Sequence, residues 1–166
     1  MAKVQRITPN LWFNTEAEEA AKFYVSIFKR SGIDKVSYYT GAGQDVHKMA
    51  PGSVMTVEFH LGNHRFVALN GGPVFQFNEA VSFIVNCKNQ KEVDQYWSRL
   101  SEGGDPNAQQ CGWLKDKFGL SWQIVPTALT ELLNDPDRDK GEHAMEAMLK
   151  MKKINIEELE AATQAV

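Results

Sequence analysis

The stretch that decides the fold is Cys111–Pro126, with the sequence CGWLKDKFGLSWQIVP. Two apolar runs, Cys111–Leu114 and Leu120–Val125, flank the charged segment Lys115–Lys117. Gly119 follows the charged segment, where a turn favours a residue that tolerates positive φ. The pattern predicts a β-hairpin. We expect its charged tip to be solvated, with Asp116 as a candidate cap for the turn.

The second strand of this hairpin has two different faces. Successive side chains of a strand point to opposite sides. Trp122 and Ile124 therefore share one face, while Ser121, Gln123 and Val125 share the other. The large apolar pair indicates the core side, and the amide of Gln123 indicates a side that lines a small-molecule cavity.

Composition excludes several classes of partner. The chain has 166 residues and a formal net charge of −3, so no basic surface argues for nucleic acid. It contains no apolar run of roughly 18 residues that would span a membrane. The first ten residues, MAKVQRITPN, lack the apolar core of a signal peptide, so we expect a cytoplasmic protein. Cys87 and Cys111 are the only cysteines and are expected to be free thiols.

The order of strand, helix, glycine stop and further strands occurs twice, in residues 4–70 and 80–126, offset by about 72 residues. In the first copy we predict a strand, a helix and three strands, at Val4–Phe13, 16–30, Ile33–Thr40, Val54–Leu61 and Arg65–Asn70. The first helix is expected to be capped by Thr15 with Glu18 as its partner. In the second copy we predict a strand, a helix, a weak strand and the hairpin, at Ala80–Cys87, Asn89–Leu100, Asp105–Gln110 and Cys111–Pro126.

Two βαβββ modules of this kind pair into a curved mixed sheet with helices outside and a cavity inside. We therefore predict an α+β fold in which residues 1–126 form the paired domain and residues 127–166 form a helical C-terminal extension. The extension contains an amphipathic helix, Glu142–Lys153, and a short helix from Ile156 that Asn155 caps. The methionine stripe of the longer helix is either core packing or a dimer contact.

Several segments resemble one known family over nearly the whole chain. They are LWF (11–13), AEEAAKFY (17–24), VMTVEF (54–59), ALNGGP (68–73), CGWLKDKFG (111–119) and SWQIVP (121–126), with further likeness at 144–154. The chain resembles the PhnB-like branch of the vicinal oxygen chelate superfamily, which includes glyoxalase I, extradiol dioxygenases and bleomycin-resistance proteins. Some members of this branch carry a name derived from demethylubiquinone methyltransferase. Methyl transfer is not expected here, because no glycine-rich turn joins a strand to a helix to hold a methyl donor.

The resemblance also implies where a metal would bind. Members that use a metal place His, Gln or Glu at four cavity-facing positions, which fall here near Pro9, Phe66, Ser82 and Gln123. Of these only Gln123 is a reasonable ligand, and a divalent ion needs three or more protein ligands in most sites. We therefore expect no metal and no cofactor.

The candidate ligand-binding residues are Gln123, Asn70, Ser82, Phe66 and Leu11. A buried amide such as that of Gln123 needs hydrogen-bond partners, although backbone groups alone can satisfy it. Asn70 ends a strand beside the Gly71-Gly72 break, either as a turn residue or as a polar group at the cavity mouth. The weak catalytic candidates are Glu58 and His60, which share a strand face and form the best acid/base pair available. The alternative is a polar strand face in contact with water.

Three functions are consistent with the predicted fold and candidate residues. The first is a metal-free, dimeric binding protein that holds a small organic molecule between apolar walls, with Gln123 and Asn70 orienting it. The second is an enzyme of the same superfamily, of the lyase, isomerase or dioxygenase type, that uses a metal or an acid/base pair. The third is a structural or interaction protein with the methionine-rich tail as its contact surface.

Overall fold

The computed structural model describes residues 5–164, and within them the predicted α+β class is confirmed. The strands are β1 (Asn10–Phe13), β2 (Gly32–Tyr38), β3 (Val54–Leu61), β4 (His64–Asn70), β5 (Ser82–Cys87), β6 (Trp113–Lys115) and β7 (Ser121–Pro126). The helices are α1 (Ala17–Ile27), α2 (Gln44–His47), α3 (Gln90–Leu100), α4 (Thr127–Leu133), α5 (Arg138–Leu149) and α6 (Ile156–Gln164), with a 3₁₀ turn at Pro106–Ala108.

The strands lie in two sheets, one in each predicted module. Their orders are β1-β4-β3-β2 and β5-β7-β6. The chain divides into two compact units, with the boundary between Gln76 and Phe77. The enclosure of a cavity by both modules, and a domain boundary after Pro126, stay predictions.

The first strand of the chain lies at an edge of the first sheet. β1 lies at the end of its sheet and pairs in parallel with β4. The strand begins at Asn10, later than predicted, and Val4 lies outside the described residues. Pro9 has no N–H to donate, but its carbonyl accepts a hydrogen bond from the Val67 N–H at 3.0 Å.

Helix α1 covers one face of the first sheet. Ala17, Ala20 and Ala21 on this helix are fully buried, because small side chains allow it to lie close to the strands. Its Tyr24 ring stacks on Phe59 of β3, with the ring centroids 6.2 Å apart. The opposite face of this sheet carries the alternate residues of each strand, which are less buried.

The second sheet is built from the predicted hairpin and β5. Strand β7 pairs in parallel with β5 and antiparallel with β6. Helix α3 matches its prediction, and the Asn89 side chain caps it by accepting a hydrogen bond from the Glu92 N–H at 3.0 Å. The weak strand expected at 105–110 is wrong. Pro106 and the Asp105 carboxylate, which accepts from the Asn107 N–H, favour a 3₁₀ turn there instead.

Helices α4 to α6 complete the core of the second unit. Leu129, Ile154 and Leu159 are buried in one cluster. Met148 and Met151 pack against it. Core packing therefore explains Met148 of the predicted stripe, whereas Met145 is exposed and the dimer contact stays a prediction. Asn155 caps α6 as expected, accepting from the Glu158 N–H at 3.3 Å. Within residues 5–164, none of the helices has the length and apolar character to cross a membrane.

Candidate functional site

The predicted hairpin is confirmed, and its tip is exposed at Lys117 but buried at Asp116. Asp116 is 2% exposed. Its Oδ1 accepts hydrogen bonds from the N–H groups of Phe118 (2.8 Å) and Leu120 (3.1 Å), and its Oδ2 accepts from the Trp122 indole N–H (2.9 Å). Gly119 adopts the left-handed conformation that the turn requires, with φ of 85°. Asp116 is thus the turn cap that was predicted, and the expectation that it is solvated was wrong.

The hairpin is also fixed at its base by the tail. The N–H of Cys111 donates to the Met151 carbonyl and that of Gly112 donates to the Lys152 carbonyl, both at 2.8 Å. The Gly112 carbonyl in turn accepts from the Ile124 N–H at 2.8 Å. Both ends of the hairpin are therefore held in place before any ligand binds.

One face of the second sheet packs against α3. Val85 and Cys87 of β5 and Trp122 and Ile124 of β7 are buried on this face. Burial and the nearby Glu92 carboxylate of α3 raise the pKa of the Cys87 thiol to about 12. Cys87 therefore stays a neutral, unreactive thiol at neutral pH.

The opposite face of the second sheet brings together two of the predicted ligand-binding residues. The Gln123 Nε2 donates a hydrogen bond to the Ser82 Oγ at 2.9 Å. The parallel register places Ile84 opposite Gln123 and Ser82 opposite Ser121. The Ser82 side chain therefore satisfies one hydrogen-bond donor of the Gln123 amide. The two residues form a polar pair on a half-buried surface.

A cavity of about 340 Å³ lies beside the β6–β7 hairpin. Ser121, Lys115 and Trp113 are among the residues that line it. Lys115 lies opposite Ser121 in the β6–β7 register, and Trp113 lies opposite Gln123, so their side chains share the face of Gln123. The alternation of the hairpin placed Ser121 on the correct face, but sequence reasoning did not identify it as a site residue.

The hydroxyl of Ser121 is the unusual group of this cavity. Ser121 is 1% exposed. Within the described part of the chain its Oγ has no hydrogen-bond partner. Buried hydroxyls normally have one, because leaving such a group unsatisfied costs free energy.

An ion pair closes one side of the cavity. The Lys115 ammonium group binds the Glu79 carboxylate, and the side chains are 26% and 63% exposed, respectively. The hydrogen bond from Lys115 is the main reason that the pKa of Glu79 lies below its usual value. A cation is therefore present at the wall of the cavity, on the residue paired with Ser121 in the β6–β7 register.

The structure gives Asn70 a structural task. It is buried at the α1 side of the first sheet, and its Oδ1 accepts a hydrogen bond from the Ala17 N–H at 2.8 Å. Its Nδ2 donates to the Val54 carbonyl at 3.1 Å. Asn70 thus satisfies the first N–H of α1. The cap predicted from Thr15 is wrong, because the helix begins one residue later and its N-cap residue, Glu16, makes no side-chain capping bond.

Leu11 and Phe66 lie on the same, helix-covered face of the first sheet. Leu11 is 6% exposed, and the Phe66 ring stacks on Phe59 with centroids 5.3 Å apart. Their contacts are those of core residues. The role of Leu11, Phe66 and Asn70 in ligand binding stays a prediction. Their burial under α1 does not favour contact with a ligand.

Glu58 and His60 occupy the face of the first sheet that lies away from α1. The His60 Nδ1 is 2.9 Å from the Asp34 Oδ1 on the neighbouring strand. His60 is thus paired across the sheet with Asp34, and no hydrogen bond joins it to Glu58 in residues 5–164. The acid/base pair stays a prediction.

A sequence profile described as 3-demethylubiquinone-9 3-methyltransferase matches residues 5–125. The chain belongs to this PhnB-like family. The residues after 125, which include helices α4 to α6, lie outside the match. The comparison with curated protein sequences gives no significant match.

Solved structures support the PhnB-like fold. A protein from Bacillus cereus, whose description pairs the same methyltransferase name with PhnB protein, is 32% identical, with a TM-score of 0.62 over 74% of this chain and 99% of its own. Protein PA1353 from Pseudomonas aeruginosa is 20% identical, with a TM-score of 0.56 over 74% of this chain and 98% of its own. The fosfomycin resistance protein FosX from Mesorhizobium loti is 12% identical, with a TM-score of 0.50 over 75% of this chain and 91% of its own. The last two show the fold alone.

The donor atoms of this PhnB-like chain do not fit the metal site that the resemblance implied. At the four positions carried over from metal-using members, Gln123 is bound to Ser82, Phe66 is in the core, and Pro9 offers only its carbonyl, which Val67 uses. In residues 5–164, no three His, Cys, Asp or Glu side chains cluster as metal ligands would. A divalent ion requires more donors than Ser82 and Gln123 supply.

Proposed function

We propose that this PhnB-like protein binds a small organic molecule in the cavity beside the β6–β7 hairpin, on the face of the second sheet that lies away from α3. The observation that carries the proposal is the buried, unpartnered hydroxyl of Ser121 in the wall of that cavity. The volume of the cavity, about 340 Å³, lies at the lower end of the range for small-molecule sites.

The wall of the cavity is prepared for binding. Asp116 holds the turn of the hairpin through three hydrogen bonds, and the tail holds its base. A ligand therefore meets a surface that loses little further conformational freedom on binding, which favours affinity. Ser82 and Gln123, bonded to each other on the sheet face that carries Ser121, supply further polar atoms for orientation.

Binding is a better interpretation of this site than methyl transfer, despite the family name. Methyl-donor sites of the strand–turn–helix type need glycines in the turn, so that backbone and ligand approach closely. The connections from β1 to α1 (residues 14–16) and from β5 to α3 (residues 88–89) contain no glycine. The connection from β2 to α2 (residues 39–43) contains two, contrary to the expectation from the sequence, but it leads into a helix of only four residues. The proposed binding also needs no metal, in keeping with the donor atoms described above.

A thermal-shift screen against metabolites and hydrophobic cations tests the proposal. A ligand at one hundred times its dissociation constant stabilises the folded state by about 2.7 kcal/mol, and about 2–4 °C of melting temperature corresponds to each kcal/mol in a chain of this size. We expect hits whose stabilisation is reduced in Ser121→Ala and in Gln123→Leu, because each variant removes a polar group from the binding surface.

Two exposed residues of α3 provide matched controls, Ser98→Ala and Gln95→Leu. Both controls should keep the full ligand-induced shift, because neither position lies near the cavity wall. The proposal fails if no compound stabilises the parent protein, or if every hit stabilises Ser121→Ala as strongly as the parent.

A further inference from the structure

We propose that the ligand of this cavity carries a carboxylate, which binds between the Lys115 ammonium group and the Ser121 hydroxyl and replaces the carboxylate of Glu79. The inference rests on the proposed function and names the class of molecule that the same cavity takes.

Two hydrogen-bond donors converge at the cavity wall. Lys115 and Ser121 are directly opposite each other in the antiparallel β6–β7 register. The Cβ atoms of such a pair are about 4.5–5.5 Å apart, so both side chains reach a common point. The ammonium group has three N–H donors and the hydroxyl has one O–H donor, and a carboxylate offers acceptor sites to both.

The ion pair with Glu79 already shows that a carboxylate fits against Lys115. Glu79 belongs to the short connection that precedes β5, and its side chain is mostly exposed. Exposed ion pairs are weakly held, since water screens them and both side chains lose freedom in forming them. The Glu79 carboxylate can therefore exchange with that of a ligand and return to water.

Charge balance favours a monoanion over other ligands. The cavity wall holds one cation and one carboxylate, Lys115 and Glu79. Exchange of one carboxylate for another keeps that balance, whereas a phosphate dianion brings a charge with no partner. A neutral molecule leaves the ion pair in place and can satisfy only Ser121.

The remainder of the ligand is expected to be apolar and compact. Trp113, Leu114 and Ala108 contribute to the lining beside the two donors. The volume of about 340 Å³ suits a single ring or a short branched chain attached to the carboxylate.

Phenylacetate and its neutral counterpart phenylacetamide are suitable probes, because they differ mainly in charge. Binding is measured on the full-length chain by NMR, from the shifts of the backbone amides of Lys115, Ser121 and Gln123. We expect phenylacetate to bind at least tenfold more tightly than phenylacetamide, since hydrogen bonds to charged groups are the stronger ones.

Variants separate the two donors from the competing carboxylate. Lys115→Met should lower the affinity for phenylacetate about tenfold or more, and Ser121→Ala should lower it severalfold. Glu79→Gln should raise this affinity severalfold, because the competing carboxylate charge is gone. An ion pair with a merely structural role would not produce that gain. Lys91→Met, at an exposed position of α3, is the matched control and should leave binding unchanged.

The inference is overturned if phenylacetamide binds as tightly as phenylacetate, or if Glu79→Gln weakens phenylacetate. In either case a neutral compound that stabilises the parent but not Ser121→Ala leaves the proposed function intact. If neither probe shifts these amides and the metabolite screen also yields no hit, both the inference and the proposed function fail.

Discussion

Replacement of Asp116 by Asn perturbs the group that organises the hairpin. The carboxylate of Asp116 accepts two backbone N–H bonds at Oδ1 and the Trp122 indole N–H at Oδ2. An asparagine side chain offers one oxygen and one NH₂ group, so at least one of these donors then faces another donor. A lost charge-assisted bond and a buried unsatisfied donor together cost about 2–4 kcal/mol. For a chain of this length the melting temperature should fall by roughly 5–15 °C.

Guanidinium unfolding, followed by tryptophan fluorescence, measures this loss. Asp105→Asn is the matched control, because Asp105 caps the exposed 3₁₀ turn through one hydrogen bond, and its change should stay within about 0.5 kcal/mol. In a Trp122→Phe background the indole donor is absent, so Asp116→Asn should cost at least about 1 kcal/mol less than in the parent. A loss equal to that of the control, or the same loss in both backgrounds, would refute the role given to Asp116.

Four further predictions concern the two cores and the buried thiol. Asn70→Ala should destabilise the chain by about 1–3 kcal/mol in denaturant unfolding, because it removes the bond to the Ala17 N–H at the start of α1; an unchanged midpoint would contradict this. Cys87 should escape thiol reagents in the native state at neutral pH and react after unfolding, and native labelling of Cys87 at the unfolded rate would be contrary to its burial. The pKa of Cys87 is raised in the folded state, from 9.0 to about 12, so its contribution to stability is complete below pH 9.0 and is lost as the pH rises towards 12; Cys87→Ser should abolish this component. Truncation after Pro126 should yield an unstable or aggregated chain, because it removes Leu129, Ile154 and Leu159 from their cluster, and a stable truncated protein in unfolding experiments would be inconsistent with that core.

The sequence was most informative where the signal is local. The alternation of Ser121–Val125 predicted both faces of β7, and the pattern of Asn89–Leu100 predicted α3 to within one residue. In each case the residues that carry the pattern are those that make the contacts. The class of the fold followed from the repeated order of strands and helices, and the family followed from the segments that resemble it.

Sequence reasoning failed where a distant residue supplies the partner. Thr15 has the local appearance of a cap, but Asn70 from β4 performs part of that task across the sheet. Three consecutive charged residues are typical of a solvated tip, and only the fold shows that the Trp122 indole buries Asp116. His60 bonds to Asp34 of β2, a pairing that the bulged β2–β3 register determines.

The cavity itself depends on information of the same non-local kind. Ser121 is a small polar residue with an ordinary local pattern, and nothing in its neighbours along the chain shows that its hydroxyl is buried without a partner. The Lys115 side chain is likewise directed by Glu79, which precedes β5. The proposed binding site combines Lys115 and Ser121, one from each strand of the hairpin, with Glu79 from the connection before β5. Such a combination is visible only in the three-dimensional structure.

The most direct measurement of the central claim is a crystal structure of the protein with a compound that stabilises it in the thermal-shift screen. We expect electron density for that compound in the cavity beside β6 and β7, with a polar atom within hydrogen-bond distance of the Ser121 Oγ. Density on the Glu58 and His60 face of the first sheet, with the Ser121 hydroxyl still without a partner, would contradict it.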